Sequence, residues 1–169
     1  FCIATFLAAV GSPANAQPVA VQVAEFYHAG LDHYFLTANN DEAYLLDNGI
    51  TKGWKRTGFA FGAYARSPDD PTLMPVCRFY GRPEAGLDSH FYSASPPECA
   101  DVVARFSQSW ALESLNVFQI EGPDPAGGTC AQGTVPVQRL FNNRNDANHR
   151  YTTDATVVIR MIARTRTER

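Results

Sequence analysis

A short aromatic and histidine motif occurs three times in this chain, and that recurrence limits what it can fold into more than any other feature. The copies are Glu25-Phe26-Tyr27 with His33-Tyr34-Phe35, Arg78-Phe79-Tyr80 with His90-Phe91-Tyr92, and Arg139-Leu140-Phe141 with His149-Arg150-Tyr151. Counted between histidines, His33 to His90 is 57 positions and His90 to His149 is 59. Trp54 and Trp110 follow the first two histidines by 21 and 20 positions. Agreement over whole units, rather than over one motif, marks a supersecondary unit used repeatedly.

Each copy opens on aromatic and β-branched residues, 23–27, 76–80 and 137–141, which predict strands. Turn-forming residues rich in Gly, Pro, Asn and Asp follow at 28–32, 81–89 and 142–148, and the chain then reverses into the His-aromatic strand. Variable length at that one place is what a surface hairpin loop tolerates. Asn39 precedes Glu42 by three residues and Ser95 precedes Glu98 by three, so each pair predicts a capping box at a helix start, with Pro96 at a first-turn position. Apolar residues then recur at Ala43, Leu45 and Leu46, at Ala100, Val103, Ala104 and Phe106, and at Val157, Val158, Met161 and Ile162, each set predicting one buried helical face. Gly49 suits a C-terminal stop. Closing strands are expected after each tryptophan, at 58–61 and 115–120.

The fold class expected is therefore α+β, with three pseudo-equivalent strand-strand-helix(-strand) repeats packed as one domain. The units span about 23–66, 76–122 and 136–169, separated by Pro- and Gly-containing linkers. The third unit has no tryptophan and no closing strand after its helix, so it is expected to be truncated. At the other end, the apolar, uncharged residues 1–10 precede Gly11-Ser12-Pro13 and the small residues Ala14-Asn15-Ala16. This is the pattern of a secretory leader cut after Ala16, here a partial one over 1–16, with residues 17–169 as the single repeat domain. The expected location is secreted, extracellular or periplasmic, with no membrane span in the mature chain.

Export puts the cysteines in an oxidising compartment. Cys77 and Cys99 are expected to form a disulfide, since the segment between them can fold back as a hairpin, and closing that loop contributes about 3 kcal/mol in the chain-entropy estimate. Cys130 is then left over. Either its partner lies outside this sequence, or it is a free or intermolecular thiol.

With these elements in place, the Arg-Phe-Tyr, turn, His-Phe-Tyr-Ser/Thr, helix, Trp pattern resembles a bacterial secreted repeat family whose function is unassigned. The likeness covers essentially all of the chain after residue 16. Members of that family usually carry the unit in threes, often appended to secreted cell-wall hydrolases or peptidases, which implies an accessory or surface-binding role and supplies no catalytic residues. The chain departs from the pattern where Arg150 replaces the aromatic after His149 and where the third tryptophan segment is missing. In similar proteins a cysteine often closes the last unit, which the resemblance offers as the partner of Cys130.

What chemistry could these residues carry? The net charge is −3 without a dense Lys/Arg tract, so a nucleic acid is not expected as a partner. No HExxH, GxSxG or phosphate-cradling glycine loop occurs. Three histidines brought to a common axis would suit zinc or copper, but a histidine between aromatics on a strand is more often packed and hydrogen-bonded, so no metal and no cofactor are expected. Asp32, Asp88 and Asp146 are expected to cap the hairpin turns through local backbone hydrogen bonds. Arg78 and Arg139 are expected to pair with a neighbouring unit's carboxylate, a place Glu25 takes in the first unit.

The aromatics carry the functional expectation. Alternation on strands sends about half of them to the core and leaves the rest available, and exposed rings beside Asp, Asn and Arg hold sugars by stacking and directional hydrogen bonds. The candidate ligand-binding residues are Tyr27, His33, Tyr80, His90, Tyr92, His149 and Tyr151, with no catalytic residue among them. The chain is expected to be a secreted non-catalytic binding module for cell-wall or extracellular polysaccharide. Two alternatives stand beside it, a secreted hydrolase acting on cell-wall polymer and a structural or adhesive repeat protein without a small ligand. An enzyme would need one unit with polar residues the others lack, and none stands out.

Overall fold

The computed structural model describes residues 18–66, 70–124 and 127–167, so the expected leader lies outside it. The fold is α+β. Unit 1 runs β1 (Ala20–His28), β2 (His33–Thr37), α1 (Asn40–Asp47) and β3 (Trp54–Tyr64). Unit 2 begins after the short β4 (Leu73–Pro75) with β5 (Cys77–Gly81), β6 (His90–Ser93), α2 (Pro96–Phe106), β7 (Trp110–Ser114) and β8 (Gln119–Glu121). Unit 3 holds β9 (Gln138–Phe141), β10 (His149–Thr152) and α3 (Ala155–Thr167). No helix of the described residues is long and apolar enough to cross a membrane.

All strand pairs are antiparallel. The sheets run β2-β1-β3-β8-β4, β6-β5-β7 and β10-β9. In units 1 and 2 the first strand is central, covered on both edges, and its middle aromatic, Phe26 or Phe79, is fully buried. The closing strands differ from expectation in two ways. Each begins at the tryptophan itself, because the indole packs edge-on against the aromatic of its own hairpin, Trp54 on Phe35 and Trp110 on Phe91. Residues 115–120 do not form one strand either, since β8 leaves unit 2 to join the sheet of unit 1 between β3 and β4.

The helix caps are half as expected. Asn39 accepts from the amides of Asp41 and Glu42, and Ser95 accepts from that of Glu98. The returning half of the capping box is not made. The Asn39 amide goes to Thr37 Oγ1 and the Ser95 amide to Ser93 Oγ, while the two glutamates take those hydroxyl protons, at 2.6 and 2.5 Å, and arginines of the next unit. A carboxylate gains more from a guanidinium than from a neutral amide, so the ion pair wins. α1 stops as expected: Gly49 lies at φ +66°, Ile50 N–H reaches Leu45 O, and Gly49 N–H reaches Leu46 O, a Schellman arrangement. The Cys77–Cys99 disulfide is present and ties α2 to β5, whereas Cys130 is exposed and free.

Thr37, Ser93 and Thr152 each accept the amide two residues on, and this fixes which residues correspond. Counting back from them, Tyr34, His90 and His149 share one position, facing Tyr27, Tyr80 and Phe141 across their hairpins. His33 corresponds to Ser89 and Asn148. The expected equivalence of the three histidines is therefore off by one residue for His33, an error that motif matching makes when two adjacent positions both hold rings.

The units meet head to tail in a closed cycle. His33 Nδ1 lies 2.7 Å from Asp88 O, Ser89 Oγ donates to Ala147 O at 2.7 Å, and Asn148 Nδ2 donates to Asp32 O at 3.2 Å, so units 1, 2 and 3 each reach the next. All three side chains are buried. In the opposite sense, the Tyr92 hydroxyl lies between Leu36 N–H and Leu36 O, and the Tyr151 hydroxyl between Tyr92 N–H and Tyr92 O. Val23, Leu36, Ala63, Val76, Tyr92 and Phe118 form the apolar core where these hairpins converge.

Candidate functional site

The junction between units 1 and 2 builds a cleft lined by charged and aromatic side chains. Arg78, on β5, crosses the boundary to lie over the Phe35 ring at 5.2 Å and grips Glu42 of α1 with two hydrogen bonds, 2.7 and 2.9 Å. Behind it stands Glu113. A β-bulge between the pairs Arg78↔Ser114 and Phe79↔Leu112 leaves Glu113 as the extra residue of β7 and re-aims it at Arg78, with Oε2 2.7 Å from Nε. That contact is ionic only, because the Nε hydrogen is not directed at the carboxylate and has no hydrogen-bond partner. Thr51, Trp54, Leu45, Leu46 and His90 complete the walls of a cleft of about 190 Å³.

The electrostatics fix the charge states of Glu42, Arg78 and His90. Burial alone would raise the Glu42 carboxyl, but the hydrogen bonds from Arg78 and Thr37 outweigh it and bring it below the usual carboxylate range. Burial works against the Arg78 charge as well, yet Glu42, with help from Glu113, raises its pKa overall. His90 stacks edge-on against Phe35 at 4.7 Å, and burial, then the Arg78 charge, push it down to about 3. It is neutral at any ordinary pH. Its Nδ1 is buried without a partner.

The junction between units 2 and 3 repeats the pattern more openly. Arg139 lies over Phe91 at 5.4 Å and meets Glu98 at 3.0 Å, and His149 packs edge-on against Phe91 at 5.3 Å, lowered by burial to about 4 and also with Nδ1 unpartnered. The pairing expected of Arg78 and Arg139 with a neighbour's carboxylate is thus what the structure shows. Beside this junction lies an apolar groove of about 400 Å³, walled by Leu36, Phe61, Met74, Phe118 and the rings of Tyr92 and Tyr151. Its polar atoms are spent, the two phenols on backbone groups and Ser93 on Glu98.

The sequence-expected ligand residues fall into two groups. Tyr27 and Tyr80 donate to Asp32 and Asp88 at 2.8 and 2.7 Å, and burial followed by the Asp88 bond drives the Tyr80 phenol up to about 12. Those aspartates, both at positive φ, hold tyrosines across the hairpin rather than capping local amides, and Asp146 accepts from Asn142 and Arg144 side chains. Tyr92 and Tyr151 face the apolar groove, and His33 is buried in the polar cycle. Only His90 lines the polar cleft. Among the described residues no group of three or more metal-ligating side chains converges. Sequence reading missed Glu113 and Thr51 altogether. Position offered one clue to Glu113: it follows Trp110 by three residues, as Thr57 follows Trp54, and Thr57 donates to Glu25 at 2.7 Å.

No curated protein and no solved structure matches the chain. Residues 7–120 match a domain of unknown function, DUF5648, a stretch that takes in every element of unit 1 and the strands and helix of unit 2 through β7. The chain belongs to the DUF5648 family.

Proposed function

We propose that the chain is a secreted, non-catalytic module that binds an extracellular or cell-wall carbohydrate in the cleft between units 1 and 2. One observation carries this reading. Of the four described buried side-chain atoms without a hydrogen-bond partner, His90 Nδ1 belongs to a residue lining that cleft and has no ionic partner either, whereas Arg78 Nε beside it is met by Glu113 through charge alone. An unmet buried polar atom costs about 1–3 kcal/mol, so it is retained where a ligand or water meets it. Sugar hydroxyls both donate and accept, and the Trp54 and Phe35 rings offer the apolar wall that a pyranose face prefers. The volume suits a single sugar ring rather than a buried oligosaccharide.

The same geometry argues against hydrolysis. Glycoside cleavage needs a carboxylic acid kept protonated near neutral pH beside an ionised one. Arg78 holds Glu42 ionised and also pairs with Glu113, and His90 is too depressed to accept a proton. Export is supported by the disulfide and by the leader-like pattern of residues 1–16.

The test is retention of the purified chain on insoluble peptidoglycan, cellulose and chitin. Retention on one of them is expected, weakened about tenfold by Glu113→Gln, a loss of about 1.4 kcal/mol. Failure to bind any polymer would sink the reading in favour of a structural or adhesive protein, and turnover of labelled wall polymer would replace it with a hydrolase.

A further inference from the structure

Every described wall of the cleft at the first junction comes from units 1 and 2, and its charges do not balance. Glu42 and Glu113 set two carboxylates against the single guanidinium of Arg78, while His90 is neutral. That guanidinium is fully committed: Nη1 and Nη2 donate to Glu42, and Nε faces Glu113 Oε2 at 2.7 Å. Among the described lining residues no other cation stands ready for an anionic ligand.

The two acids are used differently. Glu42 accepts three side-chain hydrogen bonds, two from Arg78 and one from Thr37. Glu113, its side chain 32% exposed, accepts none among the described residues, because its contact with Arg78 is ionic only and His90 Nε2 stands 3.6 Å away. Both of those groups face Oε2, so Oε1 is the open acceptor of the cleft. At the equivalent place unit 1 carries Thr57, whose hydroxyl is already spent on Glu25. His90 adds a second acceptor. A neutral imidazole keeps its proton on the nitrogen that faces a carboxylate, here Nε2, and the buried Nδ1 is left with a lone pair.

We infer that the sugar taken by this cleft is an amino sugar with its amine free, the ammonium group donating to Glu113 Oε1 while the ring lies against Trp54. The inference rests on the carbohydrate reading above and adds the charge of the ligand. An ammonium brings three donors and the one positive charge that the cleft lacks, and the face of an indole attracts it as well. An acetamido nitrogen has a single donor and no charge, and a uronate would meet two carboxylates of its own sign, so the cleft selects against both. Chitin and peptidoglycan present such amines wherever an N-acetyl group has been removed.

The probes are the trisaccharides of glucosamine, N-acetylglucosamine, glucose and galacturonate, each titrated into the full chain by calorimetry at about pH 6, where the amine is charged. The glucosamine trisaccharide should bind about tenfold more tightly than the other three, or better. Glu113→Gln should remove that preference, whereas Glu84→Gln, which takes the same charge from an exposed position outside the cleft, should leave it in place. The comparison of ligands on the unaltered chain holds even if Glu113→Gln fails to fold. Equal binding of the glucosamine and N-acetylglucosamine trisaccharides would overturn the inference and leave the carbohydrate reading standing, while binding of none of the four would remove both. A preference that survives Glu113→Gln, or that falls equally with Glu84→Gln, would trace it to the overall attraction between a polycation and an acidic chain, and overturns the inference as well.

Discussion

The junctions at units 1/2 and 2/3 differ from the one that closes the cycle at units 3/1, and the difference is an exchange of charge. At the first two, an arginine of the later unit (Arg78, Arg139) covers an aromatic of the earlier one (Phe35, Phe91) and ends on a helix glutamate (Glu42, Glu98). At the third, the arginine's position holds Glu25, the aromatic's position holds Arg150, and the helix position, five residues after Thr152, holds Val157. Arg150 donates twice to Glu25 at 2.8 Å and lies over Tyr34 at 4.2 Å. The acid has moved from helix to strand and the base has crossed the boundary. Three identical junctions could close in any order, whereas an inverted one lets unit 3 meet unit 1 and no other. A buried polar pair is best attested in this role of fixing register.

Breaking that inverted junction should have the largest effect. The side chains of Glu25 and Arg150 are 3% and 10% exposed, so removing either leaves an uncompensated buried charge. Arg150→Ala and Glu25→Gln should each cost about 3–5 kcal/mol, read as loss of denaturant stability in oxidising buffer. The triple variant Glu25→Arg, Arg150→Phe, Val157→Glu writes the ordinary junction into the third place and should recover most of that loss. The double variant without Val157→Glu should not, because the new arginine would face no acid. Equal stability of double and triple variants would refute the charge-exchange account.

The two ordinary junctions share an acid sensitivity that the inverted one lacks, since Tyr34 stands where they carry His90 and His149. Burial depresses both histidines, to about 3 and about 4, from an unfolded value near 6.5. A depressed basic group stays neutral in the folded protein while the unfolded chain takes up a proton, so stability is complete above about pH 6.5 and falls as pH drops. At pH 5 the two should each remove about 2 kcal/mol, before Glu42 and Glu98, whose pKa values are lowered, begin to protonate. His90→Phe should flatten the pH 7 to pH 5 slope by half and leave the His149 part. An unchanged slope would remove the histidines as its cause.

How much of this was legible in the sequence depends on whether a residue's partner lies within its unit. Hairpins, the side-chain halves of the Asn39 and Ser95 caps and the stop at Gly49 involve neighbours a few residues apart, and spacing alone places them. The Cys77–Cys99 bond also closes within one unit. The motif's own register was harder, because Tyr34-Phe35 and His90-Phe91 align equally well by ring content, and only the Thr37, Ser93 and Thr152 hydrogen bonds decide it. The cleft was least legible. Glu113 owes its direction to a bulge, and Arg150, which looked like a defect in the third copy, is half of a pair whose other half stands 125 residues earlier.

Arg78 and Arg139 provide the smallest and sharpest test, since they make the same contacts at different depths. The Arg78 side chain is 11% exposed and faces two carboxylates, whereas that of Arg139 is 42% exposed and faces one. Water screens an exposed pair and competes for its hydrogen bonds, so Arg139→Met should cost no more than about 1 kcal/mol. Arg78→Met loses charged hydrogen bonds in a drier place and should cost about 2–3 kcal/mol. Methionine keeps the apolar stem over Phe35 or Phe91, which isolates the charge from the packing. If the two costs were equal, stacking on the ring rather than the ion pair would be what joins consecutive units, and the exchange of Glu25 with Arg150 would have to be explained by shape instead of charge.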